Sequence, residues 1–288
     1  MPRLAVGSWA WVFGPYAAHP VPLREVARTV ATLGYDGLEL TGRPHAHPDD
    51  FPTAEQRREV TRLLAAEGLA VASLGGPVGG GSPLGVEPAQ YLASVRRYLE
   101  FCVDAGIDAM RVSSGRPTGQ PEEECFKRLI EVWYAAAEAA AAAGVRLLWE
   151  FEPNQFASRP RDVRRVLDGV HQPTFQVIFD LSHASIVAVA QPGLPDGVPG
   201  FIRLLGRRIG RLHLADTEGV VDTRGGSVRR QLGDGAVDFD AAVTALDEAG
   251  AGDGWWTLDL HGEADATGTA RSAKAFMDAL ARRHSERR

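Results

Sequence analysis

The 288-residue chain is poor in cysteine: Cys102 and Cys125 are the only two, and their spacing matches no metal-binding pair. A disulfide-built scaffold is therefore not expected; two reduced structural thiols in helices fit a cytoplasmic location. Long apolar runs are missing as well. The nearest approach, the alanine-rich stretch 134–143, is interrupted by Glu138 and ended by Gly144, well short of the roughly 18 apolar residues that suggest a membrane span. The opening MPRLAVGSWAWVFG has no lysine-rich start before a long apolar segment and reads as a first strand, not a signal peptide. Positive charge is also in deficit, with 31 Lys and Arg against 37 Asp and Glu and a net charge of -6. That balance argues against a general nucleic-acid binder. Internal repeats are absent, and no low-complexity tract occurs beyond the alanines.

What is present is an alternation. Short apolar runs recur, each followed by a helical pattern, as a parallel sheet with helical crossovers requires. Strands are read at 4–8, 37–41, 69–74, 108–113, 145–152, 175–180, 210–215 and 255–260. Thr53 and Gln56 form a capping-box pattern at one helix start. A glycine-rich loop, 75–85, lacks the Lys-Ser/Thr ending and the dinucleotide spacing of phosphate-binding loops and reads as a flexible loop or lid. The stretch QPGLPDGVPG, 191–200, is a long connection inside a unit, and a polar loop runs to Gly235. Eight units in this length favour a closed α/β structure, a (β/α)8 TIM barrel of roughly 250 residues, with residues 1–288 as one domain.

Active sites of such barrels lie at the carboxyl ends of the strands, where the polar residues of this chain gather. The strand 145–152, VRLLWEFE, ends in Glu150 and Glu152, which alternation points the same way as Leu148. Buried acids are costly without compensation. Asp180 and His183, His213, and Asp259 end or follow later strands. Taken singly, each has a structural explanation, as a helix cap or a satisfied core histidine. Several carboxylates and an imidazole converging together suit a shared divalent cation, and an oxygen-rich set with one imidazole suits Mn, Mg, Co or Zn. His183, one helical turn beyond Asp180, could bind the ion or face substrate, and substrate is preferred. Glu39 could face the barrel interior or cap a helix. His45 and His47 read as loop residues, and Trp9, Trp11, Trp255 and Trp256 as packing, with an aromatic face against a sugar ring as the alternative.

The segments GVRLLWEFEP, FQVIFDLSHA, GRLHLADT, RRQLGDGAVDF and WWTLDLHGE, in order and strand position, resemble the xylose-isomerase-like barrel superfamily. The likeness is to its sugar phosphate isomerase/epimerase group, which also holds tagatose and psicose epimerases, inosose dehydratases and type IV apurinic endonucleases. It implies metal ligands at Glu150, Asp180, His213 and Asp259. Glutamate is commoner than aspartate at the last place, so this chain departs from the pattern by one methylene. Pro153 would align Glu152 with the family's Glu-Pro, whereas the distance from Gly144 favours Glu150. Glu150 is taken as the ligand and Glu152 as a substrate-facing acid. Arg229 falls where related epimerases carry an arginine to sugar oxygens, with the adjacent Arg230 nearly as suitable. The endonuclease branch uses additional histidines that strands three and four lack.

The resemblance implies a divalent-metal-dependent isomerase or epimerase of sugars, keto-sugars or related polyols. Manganese is the preferred ion, with Mg, Co or Zn as alternatives. Glu150 and Asp259 would be the acid and base, and His183, Arg229 and Glu152 would contact substrate. A metal-dependent lyase, either an inosose-type dehydratase or an eliminase of 3-keto C-glycosides, is the rival. A non-catalytic sugar-binding or partner subunit is the third reading. The expected partner is a small carbohydrate, not nucleic acid or membrane, and a homo-oligomer is left open.

Overall fold

Eight parallel strands close on themselves: β1 (Arg3–Gly7), β2 (Gly37–Leu40), β3 (Ala70–Gly75), β4 (Ala109–Val112), β5 (Arg146–Glu150), β6 (Phe175–Asp180), β7 (Ile209–Leu214) and, last in the chain, β10 (Trp255–Leu258). β10 lies between β7 and β1 and completes the barrel. The computed structural model describes residues 1–77, 81–116, 119–189, 194–221, 223, 226–252 and 254–286. Nine helices occur among these residues: α1 (Leu23–Thr32), α2 (Ala54–Ala66), α3 (Pro88–Ala105), α4 (Glu122–Ala142), α5 (Pro160–Val170), α6 (Leu181–Val189), α7 (Gly197–Leu205), α8 (Phe239–Glu248) and α9 (Ala266–Glu286). The (β/α)8 barrel expected from the alternation is therefore the observed fold. None of these helices is long and apolar enough to cross a membrane.

β5 shows how the sequence builds the layers. Trp149 packs outward against Trp133 of α4, ring centroids 4.9 Å apart, and Phe151 packs against Phe201 of α7. Just before Trp149, Leu148 turns inward onto Ala109 and Ile178. Alternation then places Glu150 inward, above that apolar floor. Cys102 and Cys125 are both buried and form no disulfide. At the start of α2, Thr53 and Gln56 make the expected capping box.

The structure departs from the sequence reading in three places. β5 ends at Glu150, so Glu152 lies two residues past the strand and not on it. The sixth crossover contains two helices, α6 and α7, and α6 starts directly after Asp180. Of the 191–200 connection, residues 191–193 lie outside the described residues, as do 78–80 of the glycine-rich loop. The polar loop after β7 contains an antiparallel hairpin, β8 (Asp216–Val221) with β9 (Ser227–Arg230). It escapes a periodicity reading because its outer half is exposed and, among the described residues, its two strands pair with each other alone.

Candidate metal centre

Above the apolar floor, the inward side chains of six strands become polar. β2 supplies Glu39, β4 Arg111, β5 Glu150, β6 Asp180 and β7 His213, while Asp259 directly follows β10. The backbone N–H of Asp259 donates to Leu214 O at 3.0 Å, which extends the ladder by one residue and fixes the acid beside β7. Glu150, Asp180, His213 and Asp259 are all buried, and each offers a ligand atom within 4.8 Å of the others. Glu152 is half-buried, receives a hydrogen bond from Gln155 Nε2, and lines a cavity of about 590 Å³ over the cluster. His183, Arg229 and Trp9 line the same cavity.

Each acid is held by specific partners. Asp180 Oδ1 accepts from His183 N at 2.8 Å and from Ser182 Oγ at 2.6 Å, so the residue does cap α6. Its Oδ2 is buried without an aligned hydrogen-bond donor, with Arg229 Nη1 3.5 Å away. Asp259 Oδ1 accepts from Trp9 Nε1 at 2.7 Å and Oδ2 from Arg229 Nη2 at 2.6 Å. His213 Nδ1 lies 2.8 Å from Glu150 Oε1 and Nε2 3.0 Å from Glu39 Oε2. Arg111 Nη1 donates to Glu150 Oε2.

These contacts set the protonation states. Burial raises the Glu150 carboxyl, but Arg111 and His213 override it and hold the group well below the usual carboxylate range. Burial opposes ionisation of Asp259 too, and Arg229 with His213 prevails, holding it low. Burial disfavours the His213 imidazolium, yet Glu39 and Glu150 together hold it well above an ordinary histidine. Glu152 moves the other way: burial and the adjacent Glu150 charge push it up.

The donor set fits a divalent cation. Four buried carboxylates, Glu39, Glu150, Asp180 and Asp259, face two guanidiniums, Arg111 and Arg229. A proton on His213 offsets one of the two excess negative charges; a divalent ion offsets both. The orphaned Asp180 Oδ2 gains a partner in the same event.

Of the residues singled out from sequence, Glu150, Asp180, His183, His213, Arg229 and Asp259 come together here, with Glu152 at the cavity wall. Arg229 reaches the cluster, whereas Arg230 is exposed and pairs with Glu218. His45 is tied to Val21 O at 2.9 Å and His47 packs edge-on against Tyr98; neither lines the cavity. Arg111 has no sequence signature, because an isolated arginine in AMRV carries no spacing signal. The sequence alone allows Glu39 a barrel-facing or a helix-capping role; with Leu38 and Leu40 on the outer face it points inward.

A family model described as xylose isomerase-like TIM barrel matches residues 27–280. No curated protein matches the sequence significantly. Among solved structures, a D-psicose 3-epimerase with D-tagatose from Clostridium cellulolyticum H10 superposes with TM-score 0.76 and 17% identity over 96% of this chain and 98% of its own. A probable 3-DHS dehydratase of petrobactin synthesis from Bacillus anthracis does so with TM-score 0.76 and 13% identity, over 96% and 98%. The IolI protein with a bound zinc atom gives 0.75 and 16%, over 98% and 99%. At these identities the superpositions establish the fold. With the family pattern matched across most of its length, this chain belongs to the xylose isomerase-like TIM-barrel family.

Proposed function

We propose that the chain is a divalent-metal-dependent isomerase or epimerase that moves a proton next to the carbonyl of a sugar, keto-sugar or related polyol. The observation that carries this reading is the buried cluster of Glu150, Asp180, His213 and Asp259 beneath an acid-lined cavity. These four residues would hold the ion, with manganese preferred and Mg, Co or Zn as alternatives suited to three oxygens and one nitrogen. When bound, the ion would polarise the substrate carbonyl and acidify the adjacent carbon.

Glu150 and Asp259 reach the cluster from β5 and β10, which are separated in the barrel by β6 and β7. Carboxylates on two sides of a substrate can take a proton from one face of a carbon and return it to the other. Asp259 serves as one of the pair, fixed by Trp9 and Arg229. Arg229 and His183, in mutual contact at 3.2 Å, orient substrate oxygens. Trp9 and Phe13 give the cavity an apolar wall suited to a sugar ring. We take residues 1–288 as one catalytic domain acting in the cytoplasm on a small carbohydrate.

Glu152 supports a second reading. A cavity-facing acid whose proton is held more tightly through burial and the neighbouring Glu150 charge could donate to a leaving hydroxyl or aglycone, making the enzyme a lyase. Incubation with free ketohexoses, inosose and keto-glycosides in deuterated water separates the two. Deuterium gained next to the carbonyl without loss of water or aglycone supports the isomerase or epimerase. Loss of water or aglycone supports the lyase, and no exchange with any of them on the metal-loaded protein would count against both.

A further inference from the structure

Glu39 has no part in the proton transfer proposed above, yet it is fully buried at the end of β2. Its Oε2 lies 3.0 Å from His213 Nε2 and accepts from Thr257 Oγ1 at 3.3 Å, while its Oε1 is 3.1 Å from Arg111 Nε. On the other side of the same imidazole, Nδ1 lies 2.8 Å from Glu150 Oε1, and Arg111 Nη1 donates to Glu150 Oε2. Glu39, His213, Glu150 and Arg111 thus close a ring of alternating charge in which each cationic group bridges both carboxylates.

The ring constrains the imidazole. A histidine bound to a metal through one nitrogen keeps its proton on the other. Glu39, ionised, only accepts, and among the described residues it belongs to no candidate ligand set, so the nitrogen facing it is the one that keeps the proton. The lone pair is then left on Nδ1, on the Glu150 side. We propose that Glu39 is a positioning residue of the metal centre. Through His213 Nε2–H it sets the tautomer and ring orientation that leave Nδ1 for a divalent cation. The proposal rests on the reading that Glu150, Asp180, His213 and Asp259 hold the ion.

The two outer members of the ring act with opposite sign on a cation. Glu39 orients a ligand and adds negative charge; Arg111 adds positive charge beside Glu150 and opposes the ion. A ring that served only folding would lower metal affinity when either is changed.

Calorimetric titration of the metal-stripped full chain with Mn2+ compares the unaltered protein with Glu39→Gln, Glu39→Asp, Arg111→Gln and Glu150→Gln. One Mn2+ per unaltered chain is expected, with affinity about 10- to 100-fold weaker in both Glu39 variants and no weaker in Arg111→Gln. Nitrogen-15 NMR of the metal-loaded unaltered protein, which needs no variant to fold, should find His213 protonated on Nε2. Unchanged affinity in the Glu39 variants, weaker binding in Arg111→Gln, or His213 protonated on Nδ1 each overturns the role given to Glu39. If binding is lost in Glu150→Gln while the Glu39 variants bind normally, the metal reading stands and the Glu39 role falls. No Mn2+ binding by the unaltered protein overturns both.

Discussion

Trp9 donates its indole N–H to Asp259 at 2.7 Å, joining residues 250 positions apart in the chain. The contact depends on Gly7, where a Cβ would lie 2.2 Å from the indole ring. Trp9 and Arg229 each hold one oxygen of the short Asp259 side chain. Trp9→Phe should remove a hydrogen bond to a charged group, costing about 1.5–3 kcal/mol of stability, and should lower turnover by about tenfold or more. Gly7→Ala should do the same by expelling the indole. Chemical unfolding and steady-state kinetics test both, and unchanged turnover in Trp9→Phe would deny the contact any part in holding Asp259.

Metal removal should abolish activity, and returning Mn2+ should restore it. Glu150→Gln and His213→Ala should reduce metal content, read by mass spectrometry, from one ion per chain toward none. An ion at about 100 times its Kd adds about 2.7 kcal/mol to stability, so the loaded protein should unfold at a clearly higher temperature than the stripped one. Equal unfolding temperatures would contradict the metal reading.

The pH dependence of the stripped protein has two limbs. Burial opposes the charge on His213, but Glu39 and Glu150 raise it, so its stabilisation is complete below the unfolded value of about 6.5 and is lost as pH rises through the folded one. Burial opposes ionisation of Glu39, Glu150 and Asp259, yet their cationic neighbours hold all three low. Their stabilisation is present above unfolded values of about 3.9–4.3 and disappears as pH falls through the folded ones. Urea unfolding midpoints should therefore decline at both ends. Divalent ions should bind more tightly as pH rises, because His213 must release a proton to bind one. A Mn2+ affinity constant from about pH 6 to 9 would contradict that release.

Arg229 and Arg230 should behave differently despite being neighbours. Arg229 touches Asp259, Ser182 and His183 at the cavity, whereas Arg230 is exposed and bound to Glu218. Arg229→Lys should lower kcat/KM about 10- to 100-fold, because a point charge does not reproduce the planar fork. Arg230→Lys should leave kcat/KM unchanged. Equal effects in the two variants would place the substrate contact elsewhere.

The barrel is legible because runs such as QVIFD and RLLWE pack apolar residues on both faces of a strand, and inward acids then stand out against them. The same contrast marks Glu150, Asp180, His213 and Asp259. It fails for Arg111 and Glu39, whose meaning lies in a pairing across 72 positions of chain that only closure of the barrel creates. It misplaces Glu152 for a local reason. Alternation extends the strand through WEFE, whereas the backbone leaves the sheet after Glu150, and the side chain still reaches the cavity from a turn. The hairpin β8–β9 is obscured because DTEGVV has no buried face along most of its length.

That hairpin is fastened at its root. Asp216 takes hydrogen bonds from the backbone N–H groups of Thr217, Gly233, Gly235 and Val237, and Thr217 is paired directly with Arg229. The reach of the Arg229 guanidinium into the barrel is thereby determined at the root and not at the tip. Substitutions at the exposed Val220 and Val221, toward the far end of β8, would therefore leave the arginine in place. Substrate preference and catalytic chemistry can thus diversify independently on one arm of the fold.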